Sequence, residues 1–340
     1  MVLAAIAQDR VVLHAQPIRS VNDDEEPLYY ECLVRILGDD NQVTYPSAFI
    51  CSLERLELIR FLDRYVVGMA IEFMESDIGL HLGVNISAQS ANEIQWWESI
   101  IQRLAGRPDI ARRLVVEITE TTQLSRVSGH VLVERLQQVG CRIAVDDLGD
   151  GFSIENSARI VSPDIIKISG RMLPKGGSDE VRFDQFEELV TRARRDTPQV
   201  VVEGIESAES LRIAALSGAN WVQGYYVGRP HRLGKTKNSN GGSVDRSVMQ
   251  FKRIADALLD PHVDERTRSE VELAYAAGLT SALYGRHSAI AAGLRSSLIK
   301  VMRTMKGRPV ASAQLLRCFA MLGRLNGEGL AGSIGSGISS

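Results

Sequence analysis

Eight short runs in the first two thirds of the chain are rich in β-branched and aromatic residues and read as strands. They are VVLHAQPI (11–18), YYECLVRI (29–36), LHLGVNIS (80–87), LVVEIT (114–119), CRIAVDDL (141–148), DIIKIS (164–169), QVVVEGI (199–205) and WVQGYYV (221–227). Between most of them apolar residues recur at helical spacing, as in Ser128–Val139 and Phe183–Arg194. Strands and helices alternating over about 230 residues predict an α/β fold, a modified TIM-like (β/α)8 barrel. One connection departs from that plan. The segment Arg19–Leu28 is too short for a parallel crossover, which needs a dozen residues or more, so the first strand is expected to run antiparallel.

Past residue 233 the pattern changes. GKTKNSNGGSVD is polar, small and aperiodic, and marks a linker over 234–246 that ends a barrel domain spanning 1–233. From 247 to 327 strand-like runs cease. Val248, Phe251, Ile254 and Leu258, then Leu315, Phe319 and Leu322, fall at helical spacing and predict an all-helical C-terminal region. Residues 328–340, small and Gly/Ser-rich, read as a flexible tail.

Composition narrows the class. Of 340 residues, 44% are hydrophobic and 24% charged, the mix of a folded soluble domain. No apolar run approaches the ~18–20 residues of a membrane span, and MVLAAIAQDR is too short for a signal peptide. Cys32, Cys51, Cys141 and Cys318 are dispersed, without a CxxC pair, so a reduced, cytoplasmic protein is expected. The net charge of −3 is uneven: from Asp245 onward thirteen Lys/Arg face eight Asp/Glu, which leaves the preceding part acidic. That basic excess reads as solvated helix faces, and no direct DNA binding is expected.

The strands carry polar residues where a barrel interior should be apolar: Gln16, Glu31, Asn85, Glu117, Asp146 with Asp147, Lys167, Glu203 and Gln223. Active sites of such barrels form at the C-terminal mouth from the ends of several strands. Burying that many acids together is prohibitive without a cation. Carboxylates and an amide, with no His or Cys, suit Mg²⁺ or Mn²⁺ rather than Zn²⁺. The adjacent Asp146 and Asp147 could serve one or two ions, as in phosphodiester hydrolysis, and Lys167 would pair with the acids.

These residues resemble a family. Glu31-Cys32-Leu33-Val34-Arg35 is similar to the E-A-L-x-R signature of EAL domains, which hydrolyse the bacterial second messenger cyclic di-GMP. QPI (16–18), PSAFICSLE (46–54), NIS (85–87), EITE (117–120), DDLGDGFS (146–153), KIS (167–169), VEGIE (202–206) and QGYYVGRP (223–230) resemble its other blocks, in order. The resemblance implies metal ligands at Glu31, Asn85, Glu117 and Asp146, and a second set at Asp146, Asp147 and Glu203. It further implies Glu203 as general base, Lys167 as the residue orienting the water, and Gln16, Leu33, Arg35, Gln223 and Glu206 as substrate-binding residues. Glu120 and Ser153 would brace the loop after the fifth strand.

Several positions depart from the family pattern: Cys32 replaces Ala, Leu148 and Asp150 alter D-D-F-G-T-G, Ser169 replaces Asp, Val202 replaces Ala, and Glu57 replaces a Gly. The implied activity is Mg²⁺- or Mn²⁺-dependent hydrolysis of cyclic di-GMP to linear pGpG, inhibited by Ca²⁺, in a homodimer. The alternative is a catalytically weak cyclic di-GMP effector, or a scaffold acting through its C-terminal helices. Those helices are expected to regulate or to recruit a protein partner. With the first strand beginning near the start of the chain, control is expected from oligomerisation, from these helices or from another chain.

Overall fold

The computed structural model describes residues 2–22, 26–38, 42–119, 125, 128–148, 160, 162–174 and 180–234, and farther on residues 267, 270, 271 and 273–275, which are helical. Glu120, Ser153, Asp150, most of the linker, nearly all of the C-terminal region and the tail lie outside the described residues. Two compact units are present: Leu13–Arg35 with Tyr45–Thr236, and Met1–Val12 with Ile36–Thr44 and Lys237–Ser340.

The strands are β1 (Val11–Ser20), β2 (Tyr29–Leu37), β3 (Val43–Thr44), β4 (Leu82–Ser87), β5 (Leu114–Thr119), β6 (Arg142–Leu148), β7 (Ile165–Ile168), β8 (Gln199–Val202), β9 (Trp221–Val222) and β10 (His231–Arg232). Hydrogen bonding runs β1-β9-β8-β7-β6-β5-β4-β2 and returns to β1, closing a barrel of eight strands, with β3 beside β2 and β10 beside β1. From β2 through β9 the barrel strands are parallel, as in Asn85↔Glu117 and Lys167↔Val201. β1 is antiparallel to β9, with Arg19 opposite Val222, as the short connection after it requires.

The helices described are α1 (Val2–Ala7), α2 (Ile50–Arg55), α3 (Ile59–Ser76), α4 (Ala88–Ala91), α5 (Glu98–Ala105), α6 (Pro108–Ala111), α7 (Ser128–Gln138), α8 (Glu180–Asp196) and α9 (Ala208–Leu216). α3 buries Ile59, Leu62, Val66, Met69 and Ala70, the three- and four-residue spacing of a face packed on the sheet. The Arg113 guanidinium closes its end by donating to the carbonyls of Met74, Asp77 and Leu80. α9 starts on a capping box between Ser207 and Ser210. Among the described residues no helix is long and apolar enough to cross a membrane.

Strand periodicity makes the barrel interior layered. Ile18, Tyr29, Val115, Ala144, Ile165 and Val201 form one buried apolar cluster. Two residues away along the same strands, and therefore on the same face, stand Gln16, Glu31, Glu117, Asp146, Lys167 and Glu203. An apolar floor thus supports a polar layer at the mouth.

Two strands are shorter than the hydrophobic pattern implies. The last run pairs only at Trp221–Val222, because Tyr226 then donates to Ile205 O and Gly228 to Gly224 O, which turns the chain out of the ladder. β8 ends at Val202, before Gly204 takes a left-handed φ of 65°.

Candidate active site

Lys167 is the hub of the polar layer. Its fully buried ammonium lies 2.7 Å from Glu117 Oε2, 2.7 Å from Glu203 Oε1, 3.0 Å from Asp146 Oδ1 and 3.1 Å from Glu31 Oε2. These groups come from five strands or strand ends, β2, β5, β6, β7 and β8, so only the closed barrel brings them together. Amides complete the layer. Asn85 Nδ2 donates to Glu31 Oε1 at 2.7 Å, and Gln223 Nε2 donates to Glu31 Oε2 at 2.7 Å and to Gln16 Oε1 at 3.3 Å. Gln16 in turn donates to Gly228 O at 3.0 Å, tying β1 to the turn after β9.

The electrostatics separate the four acids. Burial pushes the Glu31 carboxyl up, but the Lys167 charge and the donors Gln223, Asn85 and Lys167 bring it below the usual carboxylate range. Glu117 is pushed well above that range by burial, with Lys167 opposing and the Glu31 and Asp146 charges adding. Burial also raises Asp146. For Glu203, burial and the charges of Asp146 and Glu31 outweigh Lys167 and place the carboxyl at about 8. Burial alone would discharge Lys167, but the four acids hold its pKa well above the ordinary value.

Local backbone explains how β6 can carry two adjacent acids. Successive strand residues face opposite sides, so Asp146 and Asp147 cannot both point inward on a regular strand. The ladder to β7 shifts register between Val145 and Leu148, and Asp147 sits at φ 54°, a left-handed conformation that Asp tolerates better than most residues. Asp146 is buried in the layer, whereas Asp147 is exposed beside it. Glu203 is seated by a backbone crossing: a Cβ on Gly170 would stand 2.6 Å from Glu203 O and 2.7 Å from Gly204 Cα. Under the layer, a Cβ on Gly83 would meet both Glu117 Oε1 and the Tyr29 ring at 2.3 Å. Strand periodicity gives no hint of either glycine's task; each is a space reserved for a neighbour's atoms.

A cavity of about 330 Å³ adjoins the layer, with Asn85 and Asp146 on its wall and Cys32, Leu33, Pro46, Ile50 and Leu62 among its apolar lining. Asp63 also lines it; its carboxylate accepts the Ser87 N–H at 2.9 Å, and burial pushes it up to about 7. Sequence reasoning missed Asp63, whose only signal is an acid on the otherwise apolar face of α3. Arg35 stands at the end of β2 with its guanidinium 4.9 Å from the Tyr45 ring centre. Glu206 lies on the exposed turn before α9, apart from the acids around Lys167.

The donor set is one of hard oxygen ligands. Among the described residues, Asn85 Oδ1 and Glu117 Oε1 are buried without a hydrogen-bond partner, and Asp146 Oδ1 meets Lys167 without hydrogen-bond geometry. Two oxygens of the expected ligand set, Asn85 Oδ1 and Glu117 Oε1, are therefore free to bind a cation, and the residues fit a divalent metal. The acids converge on the ammonium, and no three of the described Asp, Glu, His or Cys side chains are grouped around a common point ready for an ion.

Comparisons with known proteins agree with the architecture. The model of the EAL domain family matches residues 1–230. The chain is 29% identical over 240 residues to cyclic di-GMP phosphodiesterase PdeF of Escherichia coli (strain K12), covering 69% of this chain and 32% of that protein. It is 26% identical over 238 residues to cyclic di-GMP phosphodiesterase PdeB of Shewanella oneidensis, covering 67% and 27%. It thus spans about a third or less of the length of these relatives. Among solved structures, an EAL domain protein from Listeria monocytogenes EGD-e superimposes with a TM-score of 0.60 at 21% identity, covering 67% of this chain and 92% of that one. The PaMucR phosphodiesterase in complex with c-di-GMP gives 0.59 at 23%, covering 67% and 95%. The matched segment, the closed barrel with its antiparallel first strand and the acidic mouth around Lys167 lead to one conclusion: the chain belongs to the EAL domain family.

Proposed function

We propose that the chain is a metal-dependent phosphodiesterase that opens cyclic di-GMP to linear pGpG. The observation that carries this reading is the convergence of Glu31, Glu117, Asp146 and Glu203 on Lys167, with oxygens of Asn85 and Glu117 left over for a cation. Glu31, Asn85, Glu117 and Asp146 would hold one Mg²⁺ or Mn²⁺, and Asp146, Asp147 and Glu203 a second. Such ions supply Lewis-acid activation of the phosphoryl oxygen and of a water.

The chain's own groups do the rest. Glu203, the acid of the cluster with most access to solvent, is placed to accept a proton from the attacking water. Lys167 holds the Glu203 carboxylate at 2.7 Å and fixes where that proton arrives. Arg35 presents a planar fork suited to a phosphate, and the cavity beside the layer suits a flat purine, with Asp63 as acceptor for ring N–H groups. Gln16 and Gln223 keep the Glu31 carboxylate in one orientation.

Ca²⁺ takes the same oxygens at longer distances and should occupy the site without supporting turnover. Residues 247–327 we assign a regulatory or partner-recruiting role, in a homodimeric cytoplasmic protein. The test is chromatographic: purified protein incubated with cyclic di-GMP should yield pGpG in Mg²⁺ or Mn²⁺ and not in Ca²⁺. Equal turnover in Ca²⁺ or in chelator would overturn the metal assignment.

A further inference from the structure

Two exposed tyrosines stand at the mouth beside cations. Tyr45 follows β3 directly, is 57% exposed, and has the Arg35 guanidinium over its ring at 4.9 Å from the centre. Tyr225, 58% exposed, has Arg229 over its ring at 5.2 Å. Pro46, the next residue after Tyr45, lines the cavity that adjoins Asn85 and Asp146. Tyr45 is therefore at the cavity rim, one face held by a cation and much of its surface open.

A large aromatic exposed in this way gains little from folding, since much of its ring stays in water. Its stack on Arg35 does restrict the ring's orientation, which lowers the entropy lost when a second flat group packs on the free side. Phosphate-binding Arg and an aromatic platform side by side match a ligand that alternates phosphates with planar bases.

We propose that Tyr45 is a base-stacking, specificity-determining residue: a guanine of the cyclic dinucleotide packs on the ring while Arg35 holds the adjoining phosphate. The inference rests on the cyclic di-GMP reading of the site and assigns to one residue the preference for a base-bearing diester over a base-free one. The ring, not the hydroxyl, is the working part.

The experiment compares the 340-residue wild type with Tyr45→Phe and Tyr45→Ala. Calorimetric binding of cyclic di-GMP in Ca²⁺ is expected to be unchanged in Tyr45→Phe and about 5- to 150-fold weaker in Tyr45→Ala, the range of one base–aromatic stack. In Mn²⁺, Tyr45→Ala should raise KM for cyclic di-GMP by a similar factor with kcat little changed. Inhibition by diethyl phosphate, a diester with no flat group, should be the same in Tyr45→Ala and wild type. Equal affinity of Tyr45→Ala and wild type for cyclic di-GMP, or an equal loss on both diesters, would overturn the proposal. A wild type that neither binds nor cleaves cyclic di-GMP would instead overturn the functional reading beneath it.

Discussion

Replacing Lys167 by Met tests the electrostatic core of the site. The substitution keeps an unbranched apolar stem and removes the ammonium that four carboxyls approach within 2.7–3.1 Å. Lys167 and Glu117 are fully buried and Glu31 nearly so, so water cannot replace the lost charge. Deleting one partner of a buried ion pair costs about 3–5 kcal/mol, and here one cation serves several acids. The cost should depend on pH with a definite sign. Without Lys167, burial and mutual repulsion hold the acids' folded pKa values above their unfolded ones. Stability of that kind is present below the unfolded values and is lost as pH rises through the folded ones. Because Glu203 is already at about 8 with the lysine in place, the loss should grow from near pH 5 to beyond pH 8. Urea denaturation in chelator at pH 5 and pH 8.5 measures it: a deficit of about 3 kcal/mol or more at the higher pH, much reduced at the lower. Added Mn²⁺ should restore stability, by about 2.7 kcal/mol at one hundred times its Kd. A variant as stable as wild type at pH 8.5 without metal would refute the hub.

Three further outcomes follow from the geometry. Metal ligands must be deprotonated, and Glu203 at about 8, with Glu117 and Asp146 also raised, should make Mn²⁺ affinity climb steeply from pH 6 to pH 9 in a dialysis titration. Glu31→Gln should bind metal at least tenfold more weakly, because its amide NH₂ would face either the donor Asn85 or the donors Gln223 and Lys167, which now serve the two carboxylate oxygens; a titration matching wild type would contradict that role. Gly83→Ala should lower the melting temperature and weaken metal binding, since its Cβ would overlap Glu117 Oε1 and Tyr29; a well-folded variant with intact affinity would show that the floor is looser than the packing implies.

Much of this was legible in the sequence, for a specific reason. Strand interiors with period two expose an error in patterning at once, and acids at Glu31, Glu117 and Asp146 in otherwise apolar runs are such errors unless they are functional. The antiparallel β1 followed from chain length alone, because ten residues cannot carry a parallel crossover. Other features depend on three-dimensional closure. That Lys167 touches four acids from four other strands is a property of barrel stagger, which no linear spacing encodes. The register shift at Asp147, the space reserved at Gly83, and Asp63 reaching the cavity from α3 likewise depend on packing between elements distant in sequence. The turn after Val222 escaped detection because Tyr225, Tyr226 and Val227 have strand-like side chains, while their backbone bonds go to Ile205 and Gly224.

The central claim is that the acidic mouth of the barrel performs hydrolysis. Its most direct test is turnover of cyclic di-GMP by the purified 340-residue chain in Mn²⁺, side by side with Glu31→Ala and followed by mass spectrometry of the nucleotides. Conversion to pGpG by the wild type and loss of that conversion in the variant are expected; cyclic di-GMP left intact by the wild type, or consumed equally by both, would rule out hydrolysis at this mouth.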